Sequence, residues 1–250
     1  MARRSERGGR NGAGEPKSKP KPGTKGKPAP ASLGPSDHRR FDAEYYERHY
    51  LDEATAVSSA EETLTLARFV CSYLDYLGVT VETALDLGCG VGRWRDALTR
   101  IDNSIDYTGV EVSEYLCGEY EWVHSSIADY DGEPADLVIC QGVLQYLPAG
   151  EARAAIKTLA RVTEGALYLE ALTTTDWEQN VSQEITDGNV HLRPPDWYTT
   201  QLSKHFHSVG GGVFIPKQSG VNSRASTSTA WAAGCSSRSS PGRCRSSWRA

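Results

Sequence analysis

At 250 residues, with 27 Lys and Arg against 32 Asp and Glu, the chain has the length of one α/β domain with a single core, flanked at most by tails. The charge is split: residues 1–40 carry 11 basic and 3 acidic side chains, a net of +8, and the remaining 16 basic and 29 acidic residues leave the body at −13. No apolar run reaches the roughly 18 residues that span a bilayer, no secretory signal opens the chain, and the cysteines show neither a C-x-x-C pair nor a histidine at zinc-ligand spacing, so no membrane partner and no metal are expected, and the setting reads as reduced and cytoplasmic.

Residues 1–40 are rich in Gly, Pro, Lys, Arg and Ser and nearly devoid of large apolar side chains. Nothing there offsets the entropy of ordering, so this head is expected to be disordered. A basic tail draws nucleic acid or an acidic partner through counterion release. No aromatic residue interleaves its charges as base stacking requires, which favours a solubilising extension over a nucleic-acid arm.

Order is expected from Phe41, where Phe41, Tyr45, Tyr46 and Tyr50 gather on one short amphipathic stretch. A helix follows: Ser58 with Glu61 reads as a capping box, and Leu64, Ala67, Val70, Cys71, Leu74 and Leu77 recur at helical spacing up to Gly78. Beyond it, apolar runs at 83–87, 107–112, 136–140 and 166–170 alternate with helical patterns at about 93–100 and 151–162. This alternation implies right-handed crossovers and a doubly wound, mostly parallel sheet in an α/β domain spanning 41–221, with ligands bound at its carboxyl edge.

The segment 207–216 reads as one strand, and a further antiparallel strand is expected where the composition collapses. Residues 222–250 hold nine serines, five arginines and no acid, a low-complexity tail that reads as a change of reading frame near Val221, with the final strand missing or altered.

The chemistry concentrates in Ala84-Leu85-Asp86-Leu87-Gly88-Cys89-Gly90-Val91-Gly92-Arg93-Trp94, a buried strand running into glycines and a helix start. Glycine lets the backbone turn sharply and approach a ligand, whose polar atoms the helix-start amides meet. Asp86 precedes the glycines, where a carboxylate binds the ammonium of an amino-acid ligand directly or through water. Glu111 ends the next apolar run, 19 residues past Gly92, where a carboxylate accepts both hydroxyls of a ribose. The spacing is G-x-G-x-G, and the third glycine of a dinucleotide fingerprint is replaced by Arg93, which disfavours pyrophosphate.

This glycine turn, Tyr107-Thr108-Gly109-Val110-Glu111-Val112-Ser113 and Ala135-Asp136-Leu137-Val138-Ile139-Cys140-Gln141-Gly142-Val143-Leu144-Gln145-Tyr146-Leu147 resemble the first, second and fourth motifs of the class I, Rossmann-like S-adenosylmethionine-dependent methyltransferases, over about residues 41–216. The resemblance implies S-adenosyl-L-methionine as cofactor and methyl transfer to a small-molecule acceptor; a non-catalytic binding module or a nucleic-acid-associated one is the alternative. It places Asp86, Gly88, Cys89, Gly90 and Gly92 at the methionine portion, Glu111 at the ribose, Ser126 and Ile127 at the adenine, Gln141 at the transfer site, and Val112 and Tyr46 among the other cofactor contacts. Tyr45, Tyr46 and Tyr50 then form either a lid or ordinary packing.

Ser126 departs from the family's usual Asp, so adenine recognition falls to Ser126 or Asp129, or Asp129 caps a turn. Residues 173–198 resemble the segment that covers the acceptor, with Trp177, Arg193 and Tyr198 as candidate contacts. Arg193 suits an acidic group or an ion pair; His191 is the candidate base or a surface histidine. Cys140 lacks a base in its local sequence and reads as a small core residue. The run Cys140-Gln141-Gly142-Val143 lacks the Asn/Asp-Pro-Pro-Tyr/Phe pattern linked to methylation of base amines and glutamine amides, which favours a small-molecule acceptor.

Overall fold

The computed structural model describes residues 40–51, 59–182 and 186–219. The expectations placed on residues 1–39 and 220–250, disorder and the altered reading frame, lie outside the described residues, as does Ser58.

Asp42 opens a single turn, α1 (Ala43–Tyr46), by accepting from the Tyr45 amide, and the chain runs on as a π-helical turn, Glu47–Leu51. The long helix α2 (Ala60–Leu77) starts one residue later than expected. Ser59 Oγ accepts from the Glu62 amide at 3.2 Å, and the Glu62 carboxylate accepts from the Ser59 amide at 2.8 Å. The doublets Ser58-Ser59 and Glu61-Glu62 satisfy the capping-box spacing in two registers, and the structure uses the second. Gly78, in the left-handed region, closes the helix.

The sheet is then laid down by β1 (Thr83–Leu87), α3 (Arg93–Ile101), β2 (Asp106–Glu111), α4 (Glu114–Tyr120), β3 (Val123–His124), β4 (Ala135–Gln141), α5 (Ala149–Val162) and β5 (Thr163–Glu170). A 3₁₀ turn, Leu144–Tyr146, joins β4 to α5. After α6 (Thr174–Gln179) and α7 (Pro195–Leu202), the hairpin of β6 (Phe206–Gly210) and β7 (Val213–Pro216) completes seven strands in the order β3-β2-β1-β4-β5-β7-β6. The first five are parallel and β7 runs antiparallel to both neighbours.

The hairpin corrects the reading of 207–216 as one strand and of the closing strand as missing. Gly210, Gly211 and Gly212 all take positive φ, at 94°, 59° and 76°, and reverse the chain between Val209 and Val213. The antiparallel pair therefore lies wholly within the described residues.

Alternation along the strands divides the core. On one face Leu64, Val70 and Leu74 of α2 and Trp94 and Leu98 of α3 cover Leu137, Ile139 and Tyr168. On the other, Ile156 and Leu159 of α5 and Leu202 of α7 cover Leu85, Leu87, Val138 and Leu167. No helix among the described residues is long and apolar enough to cross a membrane. Because β1, β2, β4 and β5 are parallel, their carboxyl ends line one edge and bring Asp86, Glu111, Gln141 and Glu170 to it. Strand order reverses between β1 and β4, the crevice where such sheets bind ligands.

Candidate active site

The turn after β1 is held against β2 by its own amides: Gly88 N and Cys89 N both donate to Val110 O, at 2.8 and 3.2 Å. Gly88 has φ 88°, and a Cβ there would lie 2.3 Å from Cγ2 of Val143. A side chain at this position is thus disfavoured by backbone conformation and by space together. Gly92 caps α3 without a side chain, and Arg93, the residue that disfavours a dinucleotide, donates its guanidinium to Tyr50 O at 2.7 Å.

Asp86 is 2% exposed, and its carboxylate accepts from the Tyr107 hydroxyl at 2.8 Å. Burial pushes its pKa up to about 7; the Tyr107 hydrogen bond works against that rise and the Glu111 charge adds to it. No cation pairs with Asp86 among the described residues, so it is a buried carboxylate suited to an ammonium ligand. Gly109 faces Asp86 across the β1–β2 register and puts no side chain there; Tyr107 lies two residues before it.

Glu111, 4% exposed, is the hub of the cavity. Its Oε2 accepts from Gly90 N at 2.9 Å; its Oε1 accepts from Val112 N and Ser113 N at 2.8 and 3.1 Å, and from the Tyr46 hydroxyl at 3.3 Å. The carboxylate thereby ties the glycine turn, the end of β2 and the N-terminal segment together.

These groups line a cavity of about 140 Å³ that also takes in Cys89, Val112, Ser126, Ile127 and Gln141. Every residue expected at the cofactor lines it except Gly92, which starts α3. Ser126 donates to the Asp129 carboxylate at 2.7 Å and accepts from its amide, so Asp129 closes a turn and does not line the cavity. Tyr45, Tyr46 and Tyr50 line the cavity, Tyr46 being buried as well: Tyr45 and Tyr146 share a hydroxyl contact of 3.0 Å, and Ser113 Oγ donates to Phe41 O. Burial holds the Cys89 and Cys140 thiols above their usual range, which disfavours a nucleophilic role for either.

A second, larger cavity of about 710 Å³ adjoins the first, and Tyr45, Tyr50, Gln141, Gly142 and Tyr146 line both. Gln141 sits in this shared wall with its side chain fixed at both ends: its carbonyl accepts from Trp94 Nε1 at 2.7 Å, and its amide donates to Glu170 at 2.6 Å. Of the residues expected at an acceptor, Tyr198 lines the second cavity.

Arg193, Trp177 and His191 do not. Arg193, 6% exposed, donates to Leu144 O, Leu147 O and the Tyr198 hydroxyl, so its charge holds the 3₁₀ turn in place and is not offered to a substrate. Trp177 is buried and packs against Gly188. His191 ties its backbone to Gln145 O at 2.7 Å, and partial burial followed by the Arg193 charge holds its imidazole below the usual range, but it lines neither cavity. The histidine at the second cavity is His49, on the π-helical turn, which no sequence pattern marks.

A carboxylate at the end of each of the first two strands, flanking a glycine turn at the switch point, defines a class I, Rossmann-like S-adenosylmethionine-dependent methyltransferase. A family model described as a methyltransferase domain matches residues 62–209, and the chain belongs to that family. No curated protein matches the sequence. Among solved structures, the chain is similar to the PH0226 protein from Pyrococcus horikoshii OT3, at 18% identity and TM-score 0.51 over 70% of this chain and 99% of that one. It is also similar to DesVI from Streptomyces venezuelae, at 15% identity and TM-score 0.51 over 70% of this chain and 98% of that one. An O-methyltransferase family protein from Burkholderia thailandensis matches at 18% identity and TM-score 0.48 over 72% of this chain, which spans 64% of that protein's length. At these identities the likeness to the first two is one of fold.

Proposed function

We propose that this chain transfers a methyl group from S-adenosylmethionine to a small-molecule acceptor, with the cofactor in the first cavity and the acceptor in the second. The observation that carries the reading is the convergence of Asp86, Glu111 and the glycine turn on one cavity that shares the Gln141 wall with another. The cofactor supplies a methyl group already activated on a sulfonium sulfur. The residues present suit it: Asp86 is a buried carboxylate that would pair with the ligand ammonium, and Glu111, whose contact with Tyr46 is long, would accept from a ribose hydroxyl.

Gly88, Cys89 and Gly90 give close backbone approach to the methionine portion, and Val112, Ser126 and Ile127 receive the adenine. The chain contributes position and dryness more than covalent chemistry. Gln141, fixed by Trp94 and Glu170, orients the acceptor across the shared wall, and the tyrosines of residues 41–50 exclude water from it.

Calorimetric titration with S-adenosylhomocysteine tests this. The expected result is one site per chain, weakened tenfold or more by Glu111→Gln, with no binding of reduced nicotinamide dinucleotide. Absence of S-adenosylhomocysteine binding, or dinucleotide binding in its place, overturns it.

A further inference from the structure

The second cavity has a sign. Its lining includes three acids, Glu170, Asp176 and Asp187, and neither lysine nor arginine among the described residues. Two of the acids are already engaged. Asp187 faces Arg40 at 3.4 Å, and Asp176 accepts from the Thr173 amide and hydroxyl and from Asn180 Nδ2. Glu170, at the end of β5, takes hydrogen bonds from two neutral donors, the Gln141 amide and the Tyr168 hydroxyl, and has no ion-pair partner among the described residues. It stands exposed where the cavity meets the shared wall. The same lining includes the rings of Tyr45, Tyr50, Tyr146 and Tyr198. A cation is attracted both to a carboxylate and to ring faces, whereas an anion meets repulsion from the first and nothing from the second.

His49 adds an independent observation. It lines the same cavity, with its ring centroid 4.9 Å from that of Tyr45, and its Nδ1 is buried with no hydrogen-bond partner among the described residues. Buried polar atoms without partners are uncommon, and single π-helical turns gather at functional sites. The π turn of Glu47–Leu51 therefore carries toward the cavity a histidine whose hydrogen bonding is incomplete.

Resting on the assignment of this cavity to the acceptor, we infer that the acceptor is an amine on an apolar or aromatic body, bound as its ammonium ion by Glu170 and the tyrosine rings and deprotonated by His49. The step balances. The ammonium loses a proton to the His49 imidazole, which passes it to solvent. The freed lone pair forms the new N–C bond as the methyl C–S bond breaks, the sulfur keeping the bonding pair, so the product leaves as a methylated ammonium ion.

The test uses the full chain saturated with S-adenosylhomocysteine, titrated calorimetrically with 2-phenylethylamine, tyramine and tryptamine beside 2-phenylethanol and 3-phenylpropanoate. At least one amine is expected to bind tenfold or more tightly than the alcohol, the carboxylate is expected not to bind, and Glu170→Gln is expected to erase the preference. For the amine that binds, His49→Asn keeps KM within about threefold and lowers kcat by about a hundredfold, and imidazole restores turnover to His49→Ala. Equal binding of the alcohol or carboxylate, no binding by any amine, bound amine without methyl transfer, undiminished kcat in His49→Asn, or no response to imidazole overturns the inference. Because S-adenosylhomocysteine binding is measured first, its loss condemns the cofactor assignment and its persistence confines the failure to the acceptor.

Discussion

On the proposed assignment, Asp86 should make cofactor binding depend on pH in a direction set by its burial. Moving its pKa from the usual 3.8 to about 7 corresponds to a cost on the order of 4 kcal/mol for holding the buried carboxylate charged. The folded value is raised, so the contribution of Asp86 to stability is fully present below pH 4 and is lost as the pH climbs through 7. A ligand ammonium needs the charged form. Affinity for S-adenosylhomocysteine should accordingly rise about tenfold from pH 6 to a plateau above 8, with close to one proton released per ligand at pH 6 and almost none at pH 8.

Calorimetry in two buffers of different ionisation enthalpy counts these protons directly. In Asp86→Asn the pH dependence should vanish and binding at pH 8 should fall by at least tenfold, while the ligand-free variant should be more stable than the parent at pH 8. Affinity that stays level between pH 6 and 8 in the parent, without proton release, refutes the reasoning.

Other perturbations separate binding from architecture. Gly88→Ala should abolish S-adenosylhomocysteine binding in the titration, and adding Val143→Ala should restore only part of it, because the clash is relieved but about 1–2 kcal/mol of left-handed strain remains. Arg193→Met should lower the urea midpoint by an amount equivalent to about 3 kcal/mol, since it strips Leu144 O and Leu147 O of a charged donor, while S-adenosylhomocysteine affinity changes less than threefold. Ser59→Ala should cost about 1 kcal/mol in the same denaturation assay by opening the cap of α2.

Local patterns made the first cavity legible. A strand, a glycine turn and a helix start are contiguous, so Asp86, Gly88 and Gly90 announce themselves, and Glu111 and Gln141 follow because parallel strands end at a common edge. Elements too short for a period escaped: β3 has two residues and α4 has seven, and the hairpin at the sheet edge hid behind a run of glycines read as strand. Contacts across long sequence separations escaped as well. Arg193 looked available to a substrate until the carbonyls of Leu144 and Leu147, nearly fifty residues away, claimed its guanidinium. The second cavity is assembled from the N-terminal segment, the ends of β4 and β5 and residues 171–214, and His49 enters it from a π-helical turn with no sequence signature.

The most direct measurement is a crystal structure of the full chain grown with S-adenosylhomocysteine. The account requires the adenosyl group beside Val112 and Ile127, the ribose diol on Glu111 and the ligand ammonium at Asp86. Ligand density in the second cavity instead, or a Glu111 carboxylate still holding Gly90, Val112 and Tyr46 with no ribose against it, contradicts it.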